Sequence, residues 1–258
     1  MRIVKFLIIA VIFSFAAFTI IGCSSSSSGG GSSKTMSNIE AQAYSQMGNN
    51  LSQDITGAII DWAESGSITG LSASGAVKGS SLSTATVTDE GGGWFHLTET
   101  TFESGVSFEA DLHGKLDKNG SGEVVGVWVY GTLAMTINTT SDSYVYEMTY
   151  GNGIADPYHG TITRTGATID AVSVVGASHF AIDVTTIAGS VAVSMDYSYN
   201  LSLPVTSGSD YPTGTITITN VKRAGVAQPD ITITFDGDSS GTISFGSDYT
   251  TTFYIIGS

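Results

Sequence analysis

The residues best equipped for chemistry in this sequence are four histidines, two acidic loops and a set of tyrosines. His96, His113, His159 and His179 show no i, i+2 or i, i+4 pairing, so a metal or acid-base role requires the fold to bring them together. The expectation for each, taken singly, is a surface or hairpin histidine. Two loops carry oxygen donors in the order of the first half of a calcium loop. Asp236, Asp238 and Ser240 precede Gly241, and Asp117, Asn119 and Ser121 precede Gly122. Such spacing suits a hard cation, and calcium is the expected ion. The bidentate glutamate that normally closes such a loop is missing, since Ser247 and Trp128 stand at the twelfth positions. The same residue types also make tight polar hairpins. In the Asp117 loop, Lys118 opposes a cation.

Other chemistry is absent from the pattern. The chain holds no S-x-x-K, no H-E-x-x-H and no phosphate loop, so no enzyme is expected. A single cysteine, Cys23, can form neither an internal disulfide nor a cysteine-based zinc site. With 9 basic residues against 23 acidic ones the net charge is -14, which disfavours nucleic acid, a ligand bound through lysine and arginine. Tyr144, Tyr146, Tyr150, Tyr158, Tyr197, Tyr199 and Tyr211 could line a sugar or lipid surface. Tyrosines alternating along one strand face are expected in the core.

The elements that must position these residues are strands. From residue 68 onward alternation dominates. Val106, Phe108, Ala110 and Leu112 share one face against Ser107, Glu109, Asp111 and His113, and Val191 to Leu203 alternate in the same way. Period 2 with one apolar face predicts antiparallel strands with one face buried and one wet. Turn signals recur at Glu90-Gly91-Gly92-Gly93, Ser104-Gly105, Asn119-Gly120, Gly151-Asn152-Gly153, Ser207-Gly208 and Asp236-Gly237, and read as hairpins laid side by side. The spacing predicts an all-β, antiparallel meander of about 12-14 strands over residues 67-258, curled into a barrel, half-barrel or two-sheet sandwich. Val124-Val129 is apolar on both faces and is expected under the helix or at a sheet-to-sheet contact. The phrases Gly160-Thr161-Ile162-Thr163, Gly214-Thr215-Ile216-Thr217 and Gly241-Thr242-Ile243-Ser244 read as turn-to-strand grammar rather than as a repeat.

Upstream, residues 36-66 have a helical period, with Ile39, Ala43, Met47, Leu51, Ile55, Ile59 and Trp62 on one stripe. Ser37 and Glu40 make a capping box, and Gly66 suits the stop. Gly48-Asn49-Asn50 breaks the run, so one kinked amphipathic helix or two shorter ones are expected, packing on the β domain. Residues 24-33, Ser-Ser-Ser-Ser-Ser-Gly-Gly-Gly-Ser-Ser, form a flexible tether with a reach of about 18 Å. Ahead of it, Arg2 and Lys5 precede an uncharged run from Phe6 to Ile21, shorter than the ~20 residues of a spanning helix, in the order of a secretory signal.

That signal ends Ile20-Ile21-Gly22-Cys23, which resembles the lipobox of bacterial lipoproteins. The resemblance covers residues 1-23 only. It implies cleavage of residues 1-22, lipidation of Cys23 with a diacylglyceryl and usually an N-terminal acyl chain, and a tether over 23-35. Ser24, where inner-membrane-retained lipoproteins typically carry Asp, favours the outer membrane, facing the periplasm or the cell surface. Loss of Arg2 and Lys5 leaves 7 basic residues against 23 acidic ones, a mature charge of -16, which anionic lipid repels. The lipid, not surface charge, is then the membrane anchor. The expected function is a non-catalytic binding module for a lipid or other apolar ligand held by the curled sheet. The alternatives are a structural or surface-interaction lipoprotein with a filled core, and a transmembrane β-barrel, which alternation by itself does not separate from a soluble β domain.

Overall fold

The computed structural model describes residues 59-60, 63-64, 83-103, 105-187, 189-204, 211-247 and 249-254. Cys23, the tether, the Ser207-Gly208 turn and most of the expected 36-66 helix lie outside them. Apart from the helical residues 59-60 and 63-64, the described part is all-β, 13 strands in one antiparallel sheet. The strands are β1 (Ser83–Gly91), β2 (Trp94–Glu103), β3 (Val106–Lys118), β4 (Val124–Asn138), β5 (Ser143–Tyr150), β6 (Tyr158–Thr165), β7 (Thr168–Thr186), β8 (Gly189–Pro204), β9 (Thr213–Arg223), β10 (Val226–Ala227), β11 (Ile231–Asp236), β12 (Ser240–Phe245) and β13 (Tyr249–Tyr254).

Order in space follows order in the chain: β1-β2-β3-β4-β5-β7-β8-β9-β11-β12-β13. The two strands off this path share positions with others. β5 pairs with Gly131–Asn138 of β4 and Ser143–Tyr150 with the far half of β7, while β6 pairs with Gly126–Val129 and with the near half of β7. β5 and β6 are therefore one strand position interrupted by residues 151-157. The Gly151-Asn152-Gly153 signal, expected as a hairpin, makes this excursion and does not reverse the chain: the strands on its two sides run in the same direction. β10 and β11 likewise both pair with β9. Among the described residues β1 and β13 stand at opposite ends of the order and do not pair. One sheet replaces the sandwich among the expected arrangements.

Glycine permits the bend where β4 changes partner. Gly131 has φ +123, and a Cβ there would lie 2.2 Å from the Asp111 carbonyl oxygen, so a side chain would push β3 and β4 apart.

Alternation sends one side chain in two inward, and the inward set forms one core. Leu97, Leu112, Val129, Val172, Met195, Ile216, Ile233 and Ile243 all belong to it, and Ile216, Ile218, Ile233 and Ile243 are 0% exposed. Tyr146, Tyr158, Tyr197 and Tyr199 are buried in the same core, as expected for tyrosines alternating on a strand face. Tyr199 bonds Ser178 at 3.0 Å and stacks with Tyr197, and Tyr158 meets Tyr199 edge-on at 5.5 Å. Burial raises the Tyr158 and Tyr199 hydroxyl pKa values well above the ordinary tyrosine range.

Ile59, Ile60, Ala63 and Glu64 are helical, and Ile59 and Ala63 are buried in this core. Ile59 lies on the inner face at Gly160 of β6, where an added Cβ would stand 2.5 Å from its Cδ1. The glycine makes room for the isoleucine. The other two Gly-Thr-Ile phrases flank β11 in the same register: Gly214 and Gly241 both oppose Phe235, and Ile216 and Ile243 both oppose Ile233.

Candidate functional site

The outer face of β1 to β4 and β6 gathers the groups that the sequence leaves scattered. β2 and β3 are joined at Ser104-Gly105, and their register puts His96 directly opposite His113. The β3-β4 register puts His113 opposite Tyr130. Three rings thus stand side by side across three strands. His96 and His113 stack at 4.2 Å with planes 4° apart, and His113 and Tyr130 stack at 4.4 Å and 5°. Trp94 closes the row edge-on to Tyr130 at 5.3 Å. Because the rings pack face to face, their flat surfaces are used on one another, and the histidine edges carry the free chemistry.

Both edges meet carboxylates. His96 Nε2 donates to Asp111 Oδ1 at 2.6 Å, and the same oxygen is 3.9 Å from His113 Nε2. At the other edge His113 Nδ1 donates to Glu90 Oε2 at 2.8 Å. Glu90 reaches across from β1 because a bulge between Asp89 and Gly91 leaves it out of register, and the Gly91 amide bonded to Asp89 Oδ1 at 2.8 Å holds that turn. Glu90, His96 and His113 each offer a donor atom, all within 4.8 Å of one another. Burial, then the charges of Glu90 and Asp111, raises the Tyr130 hydroxyl pKa.

The next row along the strands is Trp94, Lys115, Trp128 and His159, paired across β2, β3, β4 and β6. Trp128 and His159 stack at 3.5 Å, and the Lys115 ammonium lies 6.0 Å from the Trp128 ring centre. This explains the doubly apolar Val124-Val129 segment. Val127 and Val129 face the core, and Trp128 is on the outer face, covered by the ring of His159. Trp128 Nε1 donates to Asp117 Oδ2, and Lys115 pairs with Asp117 at 3.0 Å. Burial pushes the Asp117 carboxyl up, but these two partners outweigh it and the pKa is lowered. Burial lowers the His159 pKa, with Asp117 pulling the other way.

Several of the loop residues expected to hold calcium bond to groups of the protein. Asp117 is taken by Trp128 and Lys115. Asn119 Oδ1 accepts from the Ser121 and Glu123 amides at 3.0 Å each, and its Nδ2 donates to Glu123 at 2.8 Å, which folds the β3-β4 turn. At the second loop Asp238 Oδ1 accepts from the Ser240 amide at 2.7 Å and hydroxyl at 2.8 Å, and these bonds lower its pKa. Asp236 ends β11 and Ser240 starts β12. Both loops are hairpin turns, and Asn119 and Asp238, two of the side chains that suggested a cation, bond the amides of their own turn. His179 stands apart from the other histidines. It pairs with Asp196 on β8, which also accepts from Asn220 at 2.7 Å.

Part of this site was accessible to sequence reasoning. Counting outward from a two-residue turn at Ser104-Gly105 places His96 opposite His113. Glu90 and Tyr130 carry no such signal, since one sits in a bulge and the other follows an irregular turn. No protein-family model, no curated protein and no solved structure matches the chain. The fold is a single-sheet antiparallel meander that carries the cluster on its outer face.

Proposed function

We propose that this chain is a lipoprotein of the bacterial cell envelope, anchored in the outer membrane through Cys23. Its β domain works without covalent chemistry as a surface-interaction module. The sheet's inner face is spent on its own core and its outer face meets partners. The observation that carries the reading is Ile59, a residue N-terminal to the sheet, seated on the inner face against Gly160. The chain fills its own concavity there, and the side chains beneath are fully buried. The polarity of the outer face points the same way. On β8 it presents Ser194, Asp196, Ser198 and Asn200 while Met195, Tyr197 and Tyr199 face inward, the reverse of what a membrane barrel offers to lipid.

A carrier of apolar ligands is the second reading, supported by the Tyr158 hydroxyl, buried in the core with no hydrogen-bond partner among the described residues. Native mass spectrometry of the full-length protein, extracted in detergent, separates the two. A filled core gives the mass of the lipidated chain alone, and a stoichiometric co-purified lipid overturns it in favour of carriage. For the anchor, Cys23→Ala should abolish incorporation of labelled palmitate and release the protein from membranes; retention of both would refute it.

A further inference from the structure

We propose that Glu90, His96 and His113 form a binding site for a zinc-class divalent transition metal ion on the outer face of β1, β2 and β3. Two imidazole nitrogens and one carboxylate oxygen are a donor set that suits zinc, and they leave a fourth position open. The site draws on the register of three strands and is independent of how the protein is anchored or how its core is filled, so it goes beyond the function proposed above.

The arrangement has the parts a metal site needs. The donors converge within 4.8 Å. An edge of a zinc tetrahedron is about 3.3 Å, so closing on the ion takes rotation of side chains that are 30% (His96), 21% (His113) and 34% (Glu90) exposed. The Nδ1 hydrogen that His113 shares with Glu90 at 2.8 Å occupies the place where an ion would sit between the same two atoms. Binding there moves the ring proton from Nδ1 to Nε2, which lies 3.9 Å from Asp111 Oδ1, so the imidazole stays neutral and Nδ1 offers its lone pair to the metal. Asp111 completes the design from behind. Its hydrogen bond to His96 Nε2 at 2.6 Å fixes that ring so that Nδ1 is the free donor, the carboxylate-histidine-metal relation that orients ligands and raises their basicity. Tyr130, stacked on the far face of His113, limits its swing.

Charge supports the same conclusion. Two carboxylates, Glu90 and Asp111, border the histidine pair, and the neighbouring cation Lys115 is bonded to Asp117 at 3.0 Å. A divalent ion neutralises both carboxylates.

The test is titration of the full-length protein in detergent with zinc sulfate by calorimetry, alongside the ligand-field absorption of bound cobalt(II). The expected result is one ion per chain, with His96→Gln and His113→Gln each removing binding, and Asp111→Asn weakening it by about 10-100-fold. His159→Gln and His179→Gln should bind as the parent does. If a glutamine variant fails to fold, zinc protection of the parent against diethyl pyrocarbonate, mapped by mass spectrometry, gives the answer. Protection of His96 and His113 over His179 supports the site, and equal labelling with and without zinc overturns it. Absence of zinc heat and cobalt bands in the folded parent, or undiminished binding in His96→Gln and His113→Gln, also overturns it.

Discussion

The C-terminal strands β9 to β13 and the N-terminal strands β1 to β4 bury the same kind of inner face and present opposite outer faces. In β9, β11, β12 and β13 the outward positions are hydroxyls in register. Thr217, Thr232, Ser244 and Thr250 make one row, and Thr215, Thr234, Thr242 and Thr252 make the next. The threonines favour strands by their β-branching, and these hydroxyls pair across strands, as Ser244 and Thr250 do at 3.0 Å, but they carry no charge. The corresponding rows of β2 to β4 hold His96, His113 and Tyr130, then Trp94, Lys115 and Trp128. One sheet thus separates two tasks. The inner face holds the fold together everywhere, and the outer face is inert at one end and chemically equipped at the other.

The sharpest way to break this division is at the core. Ile233→Ala, at a fully buried position on β11, should lower unfolding free energy by about 2-5 kcal/mol in urea titration. If it costs no more than its outward neighbour, the inner face is not what holds the C-terminal strands. Next in size, Gly160→Val should cost about 1-3 kcal/mol, because its side chain invades the space of Ile59. An unchanged midpoint would mean that Ile59 does not seat on the sheet, and the filled concavity would go with it.

Smaller effects are expected from the equipped outer face on changing pH. The folded-state pKa of Asp117 is lowered from 3.8, so its contribution to stability is present above that pH and is lost as pH falls through the folded value. Trp128→Phe removes the indole donor, and the Asp117 titration followed by NMR should move upward. His159 has a pKa lowered from 6.5 by burial, so the unfolded chain takes up its proton first. Stability from that group is complete above 6.5 and declines as pH falls from there toward the folded value. A pH-independent midpoint between 7 and 5 in the parent that matches His159→Gln would remove this role. The smallest effect belongs to the inert face, where Thr232→Ala should cost less than about 1 kcal/mol. A loss comparable to Ile233→Ala would show that the hydroxyl rows carry the sheet.

The fold was largely legible because period 2 is a local property. Val106 to Leu112 and Val193 to Leu201 turn the same alternate residues inward that the pattern assigns there. The turn residues were read correctly at Gly91, Gly105, Asn119 and Gly237, where the required backbone is glycine or a short polar residue. Gly151-Asn152-Gly153 misled because the same residues serve a hairpin and an excursion within one strand position, and only the partners on either side distinguish them. The acidic loops at Asp117 and Asp236 carry a related ambiguity: carboxylates and amides that could hold an ion can equally bond the amides of their own turn, as Asn119 and Asp238 do.

The sequence by itself determined that residues 67-258 read as an antiparallel meander, and which alternate side chains of its clearest strands face inward, since both follow from alternation and turn residues. Only the tertiary structure decided that Glu90 reaches His113, that Tyr130 covers it, that Trp128 and His159 stack, and that Ile59 fills the space at Gly160. Those meetings depend on bulges, irregular turns and an interrupted strand, each of which shifts register by amounts that no residue pattern specifies. A shift of one residue sends a side chain to the other face.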